Sequence, residues 1–222
     1  VVTNYGAIDS DGNIIKVINT ETNEVEKIID IKGNISANGI VPFPEANKVG
    51  VIDYVTNNLL VLNIETDSIE KQIQTKQKMS HLLVLHPTKP IAYVTNMKSN
   101  SVSVIDLNKN EVIKIIPCGL LTESIDITPD GSEIWITNRN GNSITIIDTS
   151  SYDVIDTLLT GVEPLKLKFS IDGNFCLVAN ASEGNISVYN QQSKKKIKKI
   201  ILHGKTTILE RILYHTPRPV NI

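Results

Sequence analysis

Four histidines are the side chains of this sequence best suited to acid–base or metal chemistry. They are His81, His86, His203 and His215, and none of them stands in an HxH or HExxH pair. A zinc or copper site needs three or four converging ligands. The sequence also lacks a GxSxG elbow, a P-loop and a dinucleotide-binding fingerprint. We therefore expect no metal, no cofactor and no catalytic residue set.

Polar residues beside the predicted strands form a second candidate site. In a repeat protein the loops at one end of successive repeats lie side by side, so Tyr, His, Arg and Glu side chains could together bind a small polar ligand or a peptide. The competing interpretation is that these loops are polar only because they are solvated. The predicted ligand-binding residues are Asn38, His81, Glu123, Arg139, Glu163 and Arg218, with Tyr5, Asn57, Lys98 and Glu183 in matching loops.

The elements that must position these residues are repeated along the chain. Tyr93-Val94-Thr95-Asn96 returns as Trp135-Ile136-Thr137-Asn138, and Asn180 ends a third copy, so the three asparagines lie 42 residues apart. A period of about 40–45 residues is typical of propeller blades. The strand that follows in each copy ends at Asn19, Asn63, Asp106, Asp148 and Asn190, at intervals of 44, 43, 42 and 42 residues.

Each copy has the pattern of four short strands. Apolar runs alternate with turns rich in Asn, Asp, Gly and Pro, and Asp130-Gly131 and Asp172-Gly173 are strong hairpin signals. One four-stranded sheet cannot bury both faces alone, whereas sheets stacked around an axis can. We predict a single all-β domain, a β-propeller with about five four-stranded blades. The repeats are roughly 1–33, 34–76, 77–118, 119–161 and 162–204, followed by an insertion at 205–217 and the start of a next blade at 218–222.

In the second copy the repeat spacing, and not the motif sequence, predicts where the strand lies. Tyr54-Val55-Thr56-Asn57 repeats the letters of residues 93–96, but the position ten residues before Asn63 is Asp53. A one-residue slip in strand pairing would turn the apolar face outward. We therefore predict a strand at 49–53 and a loop at 54–57.

The two ends of the chain leave the arrangement of the blades open. The first copy is longer between its strands, which predicts an enlarged loop at 7–12. Residues 218–222 either pair with residues 1–4 and close a five-bladed ring, or the chain is an arc of a larger propeller. The shortness of the last strand favours the second arrangement.

The bulk composition is that of a soluble globular protein, with 41% hydrophobic residues and a formal net charge of −2. This charge gives no reason to expect nucleic acid or an acidic membrane surface as a partner, and no apolar run reaches the ~18 residues of a membrane span. The two cysteines, Cys118 and Cys176, fall about a blade and a half apart in the repeat. Since a disulfide needs Cα atoms within ~7 Å, we predict two free thiols.

The repeated motif resembles a known family. Tyr93-Val94-Thr95-Asn96, Trp135-Ile136-Thr137-Asn138 and the Ser-Val-Ser-Val-Ile-Asp strand that ends at Asp106 are similar to the repeats of YVTN-repeat β-propellers, which include YncE-like and surface-layer-type proteins. The resemblance covers all five copies but departs at Asp53 and Pro42-Phe43-Pro44 and in the insertion. It implies a seven-bladed propeller, of which this chain would be part, and export to the periplasm or cell surface, although the chain shows no signal peptide. No catalytic residue set comes with the motif.

Two charged features have structural interpretations. The lysine-rich run 194–199 falls on the outermost strand of its blade, where lysines protect a sheet edge from aggregation. Binding of a polyanion or nucleic acid through this edge is the alternative, but no aromatic stacking platform accompanies it. Asp126, Lys166 and Lys168 lie on innermost strands of neighbouring copies and are predicted to form an ion pair.

These observations lead to one functional hypothesis with two alternatives. We predict a non-enzymatic binding or scaffold module of an exported prokaryotic protein, which uses its channel-mouth loops to bind a small ligand or a protein partner. The first alternative is an enzyme or cofactor-carrying propeller, of redox or hydrolase type, with its site at the channel mouth. The second is polyanion binding through residues 194–199. We expect neither a membrane span nor a nucleic-acid partner.

Overall fold

A computed structural model describes residues 2–4, 14–31, 35–202 and 219–220, with the backbone alone at 2–4 and 219–220. The expected loop at 7–12 and the insertion at 205–217 lie outside the described residues. The described residues form one 3-10 turn, Met97–Ser99, and twenty strands. The strands are β1 Val2–Asn4, β2 Ile14–Ile18, β3 Val25–Asp30, β4 Ala37–Pro42, β5 Lys48–Asp53, β6 Asn58–Asn63, β7 Ser68–Gln74, β8 Ser80–Leu85, β9 Ile91–Asn96, β10 Ser101–Asp106, β11 Glu111–Pro117, β12 Thr122–Ile127, β13 Glu133–Asn138, β14 Ser143–Asp148, β15 Val154–Leu159, β16 Pro164–Phe169, β17 Phe175–Asn180, β18 Asn185–Asn190, β19 Lys196–Ile201 and β20 Pro219–Val220.

The described strands form five antiparallel four-stranded sheets, which we call blades 1 to 5. Blade 1 has the strand order β20-β1-β2-β3, and blades 2 to 5 are β4–β7, β8–β11, β12–β15 and β16–β19, each in chain order. The innermost strands β4, β8, β12 and β16 contact one another in sequence. This is the arrangement of propeller blades around a central channel.

The hydrophobic core consists of four clusters, one at each seam between consecutive blades. In β9, Tyr93 packs into the seam with blade 4, whereas its neighbours Ala92 and Val94 pack into the seam with blade 2. Successive side chains of a strand point to opposite faces, so both faces of a blade are buried. This explains why the central strands read as almost unbroken apolar runs.

The asparagine that ends each repeat motif ties three segments of its blade together. The Asn138 side chain is fully buried, and its amide donates to the hydroxyls of Ser143 (3.0 Å) and Thr145 (2.9 Å). Its Oδ1 accepts from the N–H of Gly119, in the loop that leads into the blade (3.0 Å). Asn180 repeats this arrangement in blade 5. The motif letters are therefore structural.

In the second copy an aspartate, Asp53, makes the hydrogen bonds at the end of the strand. The register predicted for this copy is confirmed. The strand β5 ends at Asp53, and residues 54–57 form a turn. Because a carboxylate cannot donate, Asp53 accepts instead, from the N–H groups of Ser36 (3.1 Å) and Val55 (3.0 Å) and from the hydroxyl of Thr56.

Blade 5 has one face that no described sheet covers. Leu177 occupies the position of Tyr93 and Trp135 in the repeat, yet it is 37% exposed whereas both aromatic rings are 0% exposed. Phe175, on the same face, is also 37% exposed. The face is what a part of a larger propeller presents where the next blade would pack.

The first and last described strands share blade 1. The strand β20 pairs with β1, so that Thr3 lies opposite Val220 and Asn4 opposite Pro219. The strand pairing required by the first of the two predicted arrangements is therefore present. Pairing of this kind can close a propeller of any blade number, so it does not fix the number of blades.

Both cysteines are free thiols, as predicted. Cys176 is buried in the seam between blades 4 and 5. Burial raises the pKa of the Cys118 thiol to about 12 and also raises that of Cys176. Neither thiol has the low pKa of a reactive cysteine.

The role of the motif asparagine can be tested with two residues of one loop. Asn138→Ala would leave several buried groups without a partner and is expected to lower the free energy of unfolding by about 2–3 kcal/mol. Asn140→Ala, at an exposed position two residues later, should change it by less than about 0.5 kcal/mol. Urea unfolding followed by circular dichroism measures both values. Equal stability of the two variants would contradict the assigned role.

Candidate functional site

The candidate site begins with a β-bulge at the start of each innermost strand. In β4, β8 and β12, two residues lie opposite a single residue of the neighbouring strand, and β16 has one unpaired residue at the same place. Bulges re-aim side chains and are frequent beside functional sites. The first residues of the three bulges are Asn38, His81 and Glu123.

His81 and Glu123 face each other across the seam between blades 3 and 4. His81 Nδ1 lies 3.8 Å from Glu123 Oε1 and 3.4 Å from the Glu123 carbonyl oxygen. The side chains are 14% and 3% exposed, respectively. Glu123 Oε2 is buried and has no hydrogen-bond partner among the described residues. A buried carboxylate oxygen without a donor is costly, so this atom marks a place for a ligand donor or a water.

Asn38 belongs to the same row of bulges, one blade earlier. It is 3% exposed. The backbone beside it packs directly on blade 3, since a Cβ atom on Gly39 would lie 3.0 Å from the carbonyl oxygen of His81. Three successive blades therefore contribute one polar side chain each at the same level of the channel wall.

The threonine of the repeat motif holds the bulges of blades 3 and 4 in place. The N–H of Leu82, in the second bulge, donates to Thr95 Oγ1 (3.1 Å). The Thr95 hydroxyl in turn donates to the carbonyl oxygen of Glu123 (3.2 Å). Thr137 does the same one blade later, where it accepts from the N–H of Ser124 (2.9 Å). Sequence reasoning missed this support, although the threonines stand inside the motif itself.

Arg139 and Glu163 form a separate ion pair on the same end of the propeller. Arg139 Nε donates to Glu163 Oε1 (2.8 Å), and the Ser182 hydroxyl donates to Glu163 Oε2 (2.5 Å). The hydrogen bond from Ser182, together with that from Arg139, lowers the pKa of Glu163. The pair bridges blades 4 and 5, so it fixes the rim beside the candidate site.

Glu183 and Lys199 form the next ion pair along the rim of blade 5. Lys199 Nζ lies 2.8 Å from Glu183 Oε2, and Asn185 and the N–H of Val162 also donate to this carboxylate. The Lys199 hydrogen bond is the largest of the causes that lower the pKa of Glu183 to about 2. Glu183 is thus already engaged within its own blade.

The lysine-rich run 194–199 lies only partly on the outermost strand. Only its last four residues lie on the outermost strand, because β19 begins at Lys196. Lys194 instead reaches blade 4, where its ammonium bonds Glu133 Oε1 (2.6 Å) and lies 5.2 Å from the Trp135 ring centroid. The prediction that the whole run lies on the edge strand is therefore wrong at its first two residues, and both Lys194 and Lys199 are paired.

The predicted ion pair of the innermost strands is present. Lys168 Nζ lies 3.0 Å from Asp126 Oδ1, and the N–H of Phe169 donates to Asp126 Oδ2 (2.8 Å). Asp126 is buried whereas the Lys168 side chain is 79% exposed. Both carboxylate oxygens are occupied, which favours a structural role for this pair.

The remaining predicted residues are distributed as follows. Asn57 accepts from the N–H of Ser80 (2.9 Å) and so orders the loop before β8, and Lys98 is exposed in the 3-10 turn. His86 is buried, and its Nδ1 accepts from the N–H of Lys89 (3.1 Å), a structural role as expected. Arg218, Tyr5, His203 and His215 lie outside the described residues.

Comparison with known proteins places this architecture in a family. Residues 44–201 match the family model described as "Lactonase, 7-bladed beta-propeller". The chain belongs to this family. The prediction of an all-β propeller that is part of a seven-bladed one is therefore confirmed. The matched residues include His81, Glu123, Arg139 and Glu163.

A solved structure of a distantly similar protein has the same fold as this chain. The chain superposes on Kuenenia stuttgartiensis hydrazine synthase with a TM-score of 0.71 and 19% sequence identity, over 78% of this chain and 51% of that one. This chain thus spans about half the length of that protein, and such a likeness shows the fold alone. Because 1504 solved chains match, the fold by itself indicates no activity. No curated protein matches the sequence.

Two further observations concern the described part of the propeller. Its residues contain no group of three or more His, Cys, Asp or Glu side chains that could hold a metal ion. Among them there is also no helix with the length and apolar character needed to cross a membrane.

The Arg139–Glu163 pair makes a prediction about pH. Because the folded state lowers the pKa of Glu163 below its usual value of 4.5, the pair stabilises the fold above about pH 4.5. This contribution is lost as the pH falls through the lower folded value. Glu163→Gln should therefore cost about 0.5–1 kcal/mol at pH 7, and this cost should shrink as the pH falls below about 4.5.

Urea unfolding at several pH values measures this difference. Glu111→Gln is the matched control, because Glu111 is exposed and forms no salt bridge with a described residue. A Glu163→Gln effect that is the same at pH 7 and pH 3 would exclude the ionised pair as its cause.

Proposed function

We propose that this propeller is a binding module whose channel-mouth site takes a small polar ligand that carries a hydroxyl or amino group. The observation that carries the proposal is the buried Glu123 Oε2, which has no donor among the described residues. His81 and Asn38 stand beside it on neighbouring bulges. A protein partner that inserts one such group is the variant of the same proposal.

The chemistry of the ligand follows from that of the site. A carboxylate accepts hydrogen bonds only, so its partner must donate. A charge-assisted bond inside a buried site is roughly twice as strong as a neutral one. The backbone behind Glu123 is held by the Thr95 hydroxyl, which favours a preformed site rather than one that folds around its ligand.

An NMR titration with simple donors tests this proposal. Ethanolamine and D-glucose should shift the amide signals of His81, Glu123 and Ser124. Glu123→Gln replaces the acceptor oxygen with an isosteric amide and should weaken binding at least about tenfold. The control Glu111→Gln should bind as the wild type does. Unchanged affinity in Glu123→Gln, or shifts confined to other residues, would overturn the proposal.

Hydrolysis of a lactone at the same site is the second candidate function. It is supported by the family match and by the contact between His81 and Glu123. In this reaction the imidazole would take a proton from water as the water oxygen attacks the lactone carbonyl carbon, and Glu123 would stabilise the imidazolium. The ring C–O bond then breaks, the proton passes to the leaving oxygen, and a hydroxy acid is the product.

Release of acid from D-glucono-δ-lactone, followed at constant pH, distinguishes the two functions. If the site is catalytic, His81→Ala should lower the rate by about 10²–10⁴-fold, while the control Glu111→Gln should leave it unchanged. Wild-type protein that binds donors but hydrolyses the lactone no faster than buffer would support the binding module and exclude this reaction.

We further propose, from the motif letters at residues 93–96 and 135–138, that the protein is of the YVTN type and is exported. Polyanion binding through residues 194–199 is less well supported, because Lys194 and Lys199 are paired with Glu133 and Glu183. Exclusively cytosolic protein in a fractionation of the source cell would contradict export.

A further inference from the structure

A cavity of about 360 Å³ opens between blades 2 and 3, among the hairpins that join the first and second strands of each blade. These hairpins lie at the opposite end of the strands from the channel-mouth loops. Its walls include the apolar side chains of Phe43, Leu85, Pro87 and Leu107. Its volume lies within the range of small-molecule sites.

The sequence explains why the cavity lies at this seam. In blades 4 and 5 the hairpin has a glycine with positive φ, Gly131 (76°) and Gly173 (73°). A Cβ atom there would lie 2.9 Å from Pro87 and 2.8 Å from Pro129 of the preceding blade, respectively. Glycine thus lets each hairpin press against its neighbour. The repeat register puts Lys89 at the equivalent place in blade 3, where a side chain cannot fit so closely.

The preceding hairpin residues also differ between the seams. Blades 4 and 5 begin this hairpin with Thr128 and Ser170, whose hydroxyls accept hydrogen bonds within the turn. Blades 2 and 3 have Phe43 and His86 instead, so two rings line the cavity. The departure of Pro42-Phe43-Pro44 from the repeat pattern therefore has a structural consequence.

The charges at the cavity favour an anion. Lys48, Lys71 and Lys89 line it together with one carboxylate, that of Glu45. Lys48 is already paired with Glu70 (2.8 Å). Lys71 reaches only the carbonyl oxygen of Leu107 (3.3 Å), and among the described residues neither Lys71 nor Lys89 forms a salt bridge.

From this geometry we infer that the cavity is a binding site for a small organic carboxylate with an apolar body, held by the ammonium groups of Lys71 and Lys89 and by the apolar walls beneath them. Charge complementarity selects the carboxylate, and the rings of Phe43 and the neighbouring prolines select the apolar body. The site shares no residue with the channel mouth, so it stands independently of the proposed function.

An NMR titration with 2-naphthoate tests this site, and the neutral 2-naphthalenemethanol is the control ligand. The naphthoate should shift the amide signals of Phe43, Lys48, Thr88 and Lys89. Lys71→Gln and Lys89→Gln keep a polar side chain, one methylene shorter, but remove the charge, and each should weaken binding about five- to tenfold. Lys78→Gln, an exposed lysine on the channel-mouth side, should bind as the wild type does.

The outcomes separate clearly. Tighter binding of the carboxylate than of the alcohol, with loss in the two variants, supports the inference. Equal binding of both ligands, wild-type affinity in both lysine variants, signal changes confined to other residues, or no binding at about 10 mM naphthoate would overturn it.

Discussion

Burial of both faces of every four-stranded sheet is the constraint on which the rest of this structure depends. A sheet of this size exposes two apolar faces, and only a neighbouring sheet on each side removes both from water. The four seam clusters are the result. The T-shaped contact of Trp135 with Phe169, with ring centroids 5.3 Å apart, adds a specific geometry to one of them. Where no described sheet packs against a blade, as at Leu177, apolar surface is exposed.

The polar groups inside this framework serve two purposes. The motif asparagines satisfy loop N–H groups and hydroxyls within a blade, and the motif threonines complete the bulges of the innermost strands. The bulges in turn leave Asn38, His81 and Glu123 on the channel wall. Scaffold and candidate site are thus built from adjacent residues, and of the three bulge side chains it is Glu123 that has a buried oxygen without a donor among the described residues.

Differences between repeats carry more functional information than the repeats themselves. The glycines of blades 4 and 5 close their seams, whereas Lys89 leaves the seam between blades 2 and 3 open. Likewise, the three bulges share one strand register but present different first side chains. A repeated backbone therefore supplies equivalent positions, and single substitutions at those positions create the sites.

The sequence by itself determined the blade period, the register at Asp53, the free cysteines and an ion pair between Asp126 and the lysines of the next innermost strand, because these follow from spacing along one chain or between equivalent strands. It placed Asn38, His81, Glu123, Arg139 and Glu163 on one rim but could not say which would meet. Only the tertiary structure decided that His81 faces Glu123, that Arg139 pairs with Glu163 and that Lys194 leaves the edge strand for Glu133. Such contacts cross a seam between blades. Their distances depend on the rotation between blades and on the shape of each bulge, and the repeat period specifies neither of these.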